Sequence, residues 1–230
     1  MRLLFLLALA FPGIATALEF EVGAGMTHFS TLGDNFYYQE GMPHKLELNK
    51  PAFRLTASQD VAPWLTINAS YLYFGRPWMS THAAPDLEDY APTGIGGYDP
   101  ATNQCRGECG PKRDFVSTGS LQAFALTLEP NIKRGQWRFG IEAGPALFKG
   151  TWSATMTVAS ETSPWGRRGS VERLSYNAPW TWTMLAGASV SYKDVVLRYT
   201  YIRTPSRGVT GKNIPFGAKD AHMLTLGVRF

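Results

Sequence analysis

The sequence predicts an all-β protein: eight antiparallel strands closed into an up-and-down barrel, with short turns at one end and four long loops at the other. Three observations predict it. Segments of about ten residues alternate apolar with small or polar side chains, which is the period of a strand. Their connections alternate strictly between short and long. Beyond residue 17 no run of about 18 apolar residues exists to form a membrane-crossing helix, yet aromatic content is 13%, with 10 Tyr and 7 Trp.

The opening stretch "MRLLFLLALAFPGIATA" carries one early cation, Arg2, then an apolar core from Leu3 to Phe11, then Ala15, Thr16 and Ala17. Small residues after a short apolar core are what a signal peptidase accepts, so residues 1–17 read as a cleaved secretory leader and 18–230 as a single barrel domain. The apolar core is too short to span a bilayer as a helix. The formal charge is +4, and loss of Arg2 leaves about +3, scattered along the chain. No Lys/Arg block is present, so nucleic acid is not an expected partner.

The eight segments are 19–30, 45–58, 64–74, 119–129, 137–149, 179–192, 195–204 and 221–230. "QDVAP", "PNIKRGQ" and "KD" make the short turns. The stretches 31–44, 75–118, 150–178 and 205–220 are long and rich in Gly, Pro, Asp and Ser. An even strand count with alternating turn lengths is what a barrel of the bacterial outer membrane requires, with termini and short turns in the periplasm and the four long loops outside.

One parity of these segments is apolar: Phe20, Val22, Ala24 and Met26, then Phe53 and Leu55, then Leu65, Ile67, Tyr71 and Tyr73, and so on to Val195, Leu197, Tyr199 and Tyr201. Its aromatic residues gather at segment ends. Tyr71, Tyr73, Trp180, Trp182 and Tyr201 fall at the outer rim, and Phe20, Trp137, Phe139, Tyr192 and Phe230 at the periplasmic rim, as membrane interfaces favour. A soluble sandwich would show a similar alternation. The two aromatic girdles, the leader and the loop alternation together favour the membrane barrel.

The other parity holds the charges: Glu19, Glu21, Glu129 and Glu142 against Arg54, Arg138, Arg198 and Arg229. The interior of an eight-stranded barrel is only wide enough for side chains to fill, and an isolated charge there carries a large desolvation penalty. The four acids and four arginines must therefore pair. Closure of the first strand on the last places Arg229 near Glu19 or Glu21, and the "PNIKRGQ" hairpin places Arg138 near Glu129. The pairs read as a structural plug. An ionic gate is the sharper reading, but a selective pore would show an excess of one sign.

Other candidates are few. Cys105 and Cys109, in "CRGEC", are expected to form a small loop disulfide in an oxidising compartment, since no further ligands accompany them to hold a metal. The long stretch 75–118 that contains them reads as a recognition surface or a mobile shield. His28 and Ser30, in "THFST", lie on the lipid-facing parity near the outer rim. Two polar residues where a strand leaves the membrane is the plain reading. The alternative is a histidine-activated serine that attacks an acyl ester of lipid A. His44, His82 and His222 show no metal-ligand spacing, so no metal and no cofactor are expected.

The eight amphipathic segments and the terminal "MLTLGVRF" resemble the small outer-membrane barrels of the OmpA/OmpX/OmpW kind across the mature chain. The resemblance implies that Val228 and Phe230 belong to a terminal signal read by the barrel-assembly machinery, although Thr225 stands where that signal usually has glycine. It also implies a set of roles: structural anchors, adhesins, serum-resistance factors and channels for hydrophobic solutes. In size and in its His-x-Ser triplet "HFS" the chain is also similar to lipid A deacylating barrels. The expectation drawn from all of this is a monomeric, non-enzymatic integral barrel of the outer membrane. It would be surrounded by lipid and lipopolysaccharide and would act through its loops, 75–118 above all. A narrow channel for small hydrophobic solutes is the further alternative.

Overall fold

Alternation along single strands becomes closure in three dimensions. The computed structural model describes residues 18–31, 44–85, 97–99, 104–106, 112–159, 167–204 and 218–230, and the regular structure there is all β. In chain order the strands are β1 (Glu19–Thr31), β2 (His44–Glu47), β3 (Asn49–Ala62), β4 (Leu65–Gly75), β5 (Trp78–Pro85), β6 (Gly97–Asp99), β7 (Gln104–Arg106), β8 (Lys112–Arg134), β9 (Trp137–Val158), β10 (Val171–Asn177), β11 (Thr181–Tyr192), β12 (Val195–Arg203) and β13 (Ala218–Arg229). Eight of them form an antiparallel ring in the order β1, β3, β4, β8, β9, β11, β12, β13 and back to β1. The closing ladder runs from Glu21 opposite Arg229 to Ser30 opposite Asp220. Phe20 and Phe230 exchange both backbone hydrogen bonds, each at 2.9 Å, so the last residue completes the seam. Closure leaves these strands no open edge within the ring.

The turn end is tight. Pro63 and Trp64 join β3 to β4, Gly135 and Gln136 join β8 to β9, and Lys193 and Asp194 join β11 to β12. Two-residue hairpins that match the strand twist need positive φ, which Gly135 (61°) and Lys193 (52°) supply.

The loop end corrects the expected boundaries. β8 and β9 run to 23 and 22 residues, well past the segments 119–129 and 137–149. β5 pairs with the early part of β8, β2 pairs with β5, and β10 pairs with the late part of β9. The stretch 75–118 is thus ladder at both ends, and 150–178 likewise. Its strand signal is short: in "FVST" and "TWSATMTV" buried Phe115, Trp152, Met156 and Val158 alternate with more exposed neighbours, and the surrounding Gly, Pro and Asp obscure the period. The expected strand 45–58 is also broken. At Leu48 the chain leaves β1, so that 44–47 joins β5, while β3 runs on to Ala62. Among the described residues the sheet therefore climbs higher on the side of β5, β8, β9 and β10 than on the side of β12, β13 and β1. The leader 1–17 lies outside the described residues. So does Cys109, and with it the disulfide expected to Cys105.

The outer wall is apolar and exposed, with Ile141 at 65% and Trp182 at 71%. Aromatic rings gather near both of its ends. Phe20 stacks on Phe230 (6.4 Å) and Trp137 lies against Tyr192 (4.8 Å) and Phe139 (6.1 Å) at the turn end. Toward the loops, Tyr73, Phe53, Tyr71, Phe124 and Trp180 form a continuous chain at 5.1–5.8 Å between centroids.

Candidate functional site

The interior divides into two regions along one side-chain parity. Toward the turns it is charged. Arg54 on β3 is fully buried, and all five of its N–H groups are used. Nη1 and Nη2 grip Glu142 of β9 at 2.6 and 2.9 Å, Nη1 also donates to Thr200 (3.0 Å), Nη2 to Ser70 (2.9 Å) and Nε to Thr56 (2.9 Å). Arg198 on β12, also fully buried, faces three carboxylates. It holds Glu21 of β1 through Nε (3.3 Å) and Nη2 (3.0 Å), and its Nη1 reaches Glu129 (2.8 Å) and Glu142 (3.2 Å). Hydroxyl and amide donors complete the carboxylates: Asn68 Nδ2 (2.7 Å) and Ser189 Oγ (3.0 Å) on Glu129, Thr127 Oγ1 (3.2 Å) on Glu142. Charge-assisted, forked bonds of this kind are what compensates ions taken out of water.

Two inward glycines make room for these carboxylates. A Cβ on Gly140 would come within 2.5 Å of Glu129 Oε1, and one on Gly187 within 2.9 Å of Glu142 Oε1 and 2.5 Å of the Tyr199 carbonyl.

Below this web, at the turn-end mouth, Arg138 lies 3.7 Å from Glu129 and 3.4 Å from Asp60, and also donates to Thr66. Asp60 further accepts from Thr66 Oγ1 (2.5 Å) and Lys133 Nζ (2.7 Å). Arg229 sits across the seam, 3.5 Å from Glu19 and 3.6 Å from Glu21. Glu19 is half-exposed at the mouth, not inside the lumen, because it begins the strand. Asp60 and Lys133 are members that sequence reading missed. Both stand in stretches taken as turns, although Asp60 shares the parity of Arg54, Thr56 and Ser58.

Toward the loops the same inward parity becomes apolar. Phe29, Leu72, Phe74, Met79, Leu121, Ala123, Phe148, Leu185, Ile202 and Met223 pack into one buried cluster. The sequence reading, which took the inner face as polar throughout, passed over them. Their signal was present: Ser70 gives way to Leu72 and Phe74, and Thr200 to Ile202, in steps of two.

A polar patch lies on the outer wall, on the low side of the sheet. His28 of β1 is exposed, and its Nδ1–H donates to Asn49 Oδ1 at 2.8 Å. His222 of β13 stands opposite His28. Its Nε2 lies 3.2 Å from Asp220 Oδ1, and its Nδ1 is hydrogen-bonded to the Tyr199 hydroxyl at 2.7 Å. Tyr201 packs on the His222 ring at 5.1 Å between centroids. Ser30 lies opposite Asp220 in the ladder. Among the described residues no hydrogen bond joins Ser30 to His28, and the carboxylate of this patch is directed at the other histidine. His28 and Ser30 share a wall, but serine, base and acid are not joined into a relay. Val228 faces outward and Phe230 closes the turn-end rim.

No family model and no curated protein matches the chain. Several solved structures are similar to it. The crystal structure of Ail, the attachment invasion locus protein of Yersinia pestis, is 12% identical with a TM-score of 0.39, over 93% of this chain and 97% of that one. The same protein in complex with the heparin analogue sucrose octasulfate is 13% identical with a TM-score of 0.41, over 94% and 100%. Neisserial surface protein A is 14% identical with a TM-score of 0.42, over 94% and 98%.

Proposed function

We infer that the chain is an integral outer-membrane barrel, acting as a monomer, whose lumen is closed to solutes and whose work is done by the surface raised at its loop end. The observation that carries this reading is the set of side-chain contacts that cross the interior. The Arg54–Glu142 and Arg198–Glu21 forks, with Glu129 between them, cross the lumen at one level, and the cluster around Leu72, Phe74 and Phe148 occupies the next. The exposed apolar belt between two rings of aromatic side chains supports residence in a bilayer, since water tolerates no such wall and interfaces favour such rings. On this reading no path runs through the centre, and the outer surface is what the molecule has left to work with. There β5, β10 and the outer parts of β8 and β9 extend the sheet past the ring, and residues 86–111 join β5 to β8 in the chain.

The test is a graft. Replacing residues 86–111 by a four-residue turn keeps β5 and β8 and is expected to leave a heat-modifiable, folded barrel that no longer supports adherence to host cells or matrix. Undiminished adherence would refute the reading. Mass spectrometry of lipid A from cells expressing the wild type or Ser30→Ala is expected to give identical spectra. Deacylated lipid A that depends on Ser30 would replace this reading with the acyl hydrolase.

A further inference from the structure

The polar patch on the low side of the wall has no part in closing the lumen, and its composition is unusual for its position. Four neighbouring strands contribute to it: Asn49 of β3, His28 of β1, His222 and Asp220 of β13, and Tyr199 and Arg203 of β12. Arg203 points outward and is exposed, two positions beyond Tyr201 on the same stripe and opposite Asp220 in the ladder. Polar and ionisable groups on a lipid-facing wall are destabilising unless something polar meets them. At ~3.3 Å per residue and a tilt of ~40°, the level of His28 lies roughly 20 Å above that of Phe20, the upper edge of an apolar belt about 25 Å tall.

The internal bonds decide which groups face out. Asp220 is only 9% exposed and its carboxylate is turned to His222, so the acid is covered. His222 has Nδ1 bonded to the Tyr199 hydroxyl and Nε2 turned to Asp220 within the patch. What remains for a ligand is the Arg203 guanidinium, the Nε2 edge of His28, whose other nitrogen is committed to Asn49, and the Asn49 amide nitrogen. The guanidinium and the amide are donors, the first of them cationic, while His28 Nε2, with the ring proton on Nδ1, is an acceptor; together they span three strand spacings, about 14 Å. Directly below them the wall is bare and apolar, with Met26, Leu224, Leu226 and Val22 exposed. A cationic donor, an amide donor and a ring acceptor above, with a hydrocarbon surface below, describe one kind of ligand.

We propose that His28, Asn49 and Arg203 form a docking site for the phosphorylated head of an outer-leaflet glycolipid, whose acyl chains lie along Met26, Leu224 and Leu226. The site rests on membrane residence as inferred above. Its elongated form suits an extended sugar head carrying phosphate better than a single free ion, and charge complementarity selects phosphate over a neutral sugar.

The full barrel, refolded into detergent micelles, is titrated with bis-phosphorylated lipid A and read by native mass spectrometry. Wild type is expected to retain one lipid A, and the His28→Ala/Arg203→Ala double variant to bind it at least tenfold more weakly. Dephosphorylated lipid A is expected to bind wild type as weakly as intact lipid A binds the double variant. Lys149→Ala, which removes a cation elsewhere on the wall, is expected to change nothing. Equal retention by wild type and the double variant, or equal binding of the dephosphorylated lipid, overturns the proposal. Binding of inorganic phosphate in place of the lipid overturns it as well. Arg203→Glu provides a second variant, and heat-modifiable mobility verifies that each variant is folded. Protease protection of wild type in vesicles tests membrane residence independently, so a failure there is distinguishable from a failure of the site.

Discussion

The two halves of the lumen are lined by the same parity of the same strands, yet their side chains are held together by opposite physics. Near the turns, Arg54 and Arg198 are as fully buried as any leucine of the upper cluster, and they are tolerated because each guanidinium nitrogen and each carboxylate has a partner. Near the loops, Leu72, Phe74 and Phe148 need only volume and shape. The charged half is therefore interdependent, since one lost partner strands a charge, whereas the apolar half loses contacts in proportion to what is removed. The difference teaches that strand parity determines which side chains enter a barrel, while what fills the barrel is chosen level by level.

Mutations at matched depth break or sharpen this contrast. Glu142→Ala leaves Arg54 without its forked partner and Arg198 short of one, and is expected to cost about 3–5 kcal/mol in urea unfolding in lipid vesicles. The double change Arg54→Met/Glu142→Leu removes both charges and is expected to be close to neutral in the same assay, which makes the penalty one of stranding and not of lost attraction. Leu72→Ala, one level up, is expected to cost about 2–5 kcal/mol by leaving a cavity, with no rescue from a second substitution of a charged residue. Arg229→Ala, at the half-open mouth beside Glu19, is expected to cost at most about 1 kcal/mol, and less as salt is raised. A rim effect as large as that of Glu142→Ala would erase the distinction between mouth and centre.

How much of this was legible in the sequence follows from the range of each interaction. The ring was legible because the strand period of two, the tight turns and the aromatic ends are local properties. Contacts between ladder neighbours, such as Arg229 beside Glu21, follow from strand order alone. Arg54 and Glu142 are 88 positions apart on strands that are not neighbours, and Arg198 and Glu21 are 177 apart. Such contacts depend on side-chain reach across the lumen, which no pattern along the chain encodes. Asp60 was hidden by its place beside a turn. The upper apolar cluster was hidden by sharing a parity with serines and threonines. β5 and the outer parts of β8 and β9 were hidden by loops whose Gly and Pro content masks short alternation. The outer patch was half legible: His28 and Ser30 stood out, but His222, Asn49 and Arg203 join them only when the barrel closes.

The closed lumen is the central claim, and ion conductance tests it most directly. Wild-type protein inserted in a planar bilayer is expected to show no ohmic current steps. Reproducible single-channel steps from the folded wild type would contradict the account, because no current can pass the Arg54–Glu142 and Arg198–Glu21 forks and the cluster above them while both remain closed.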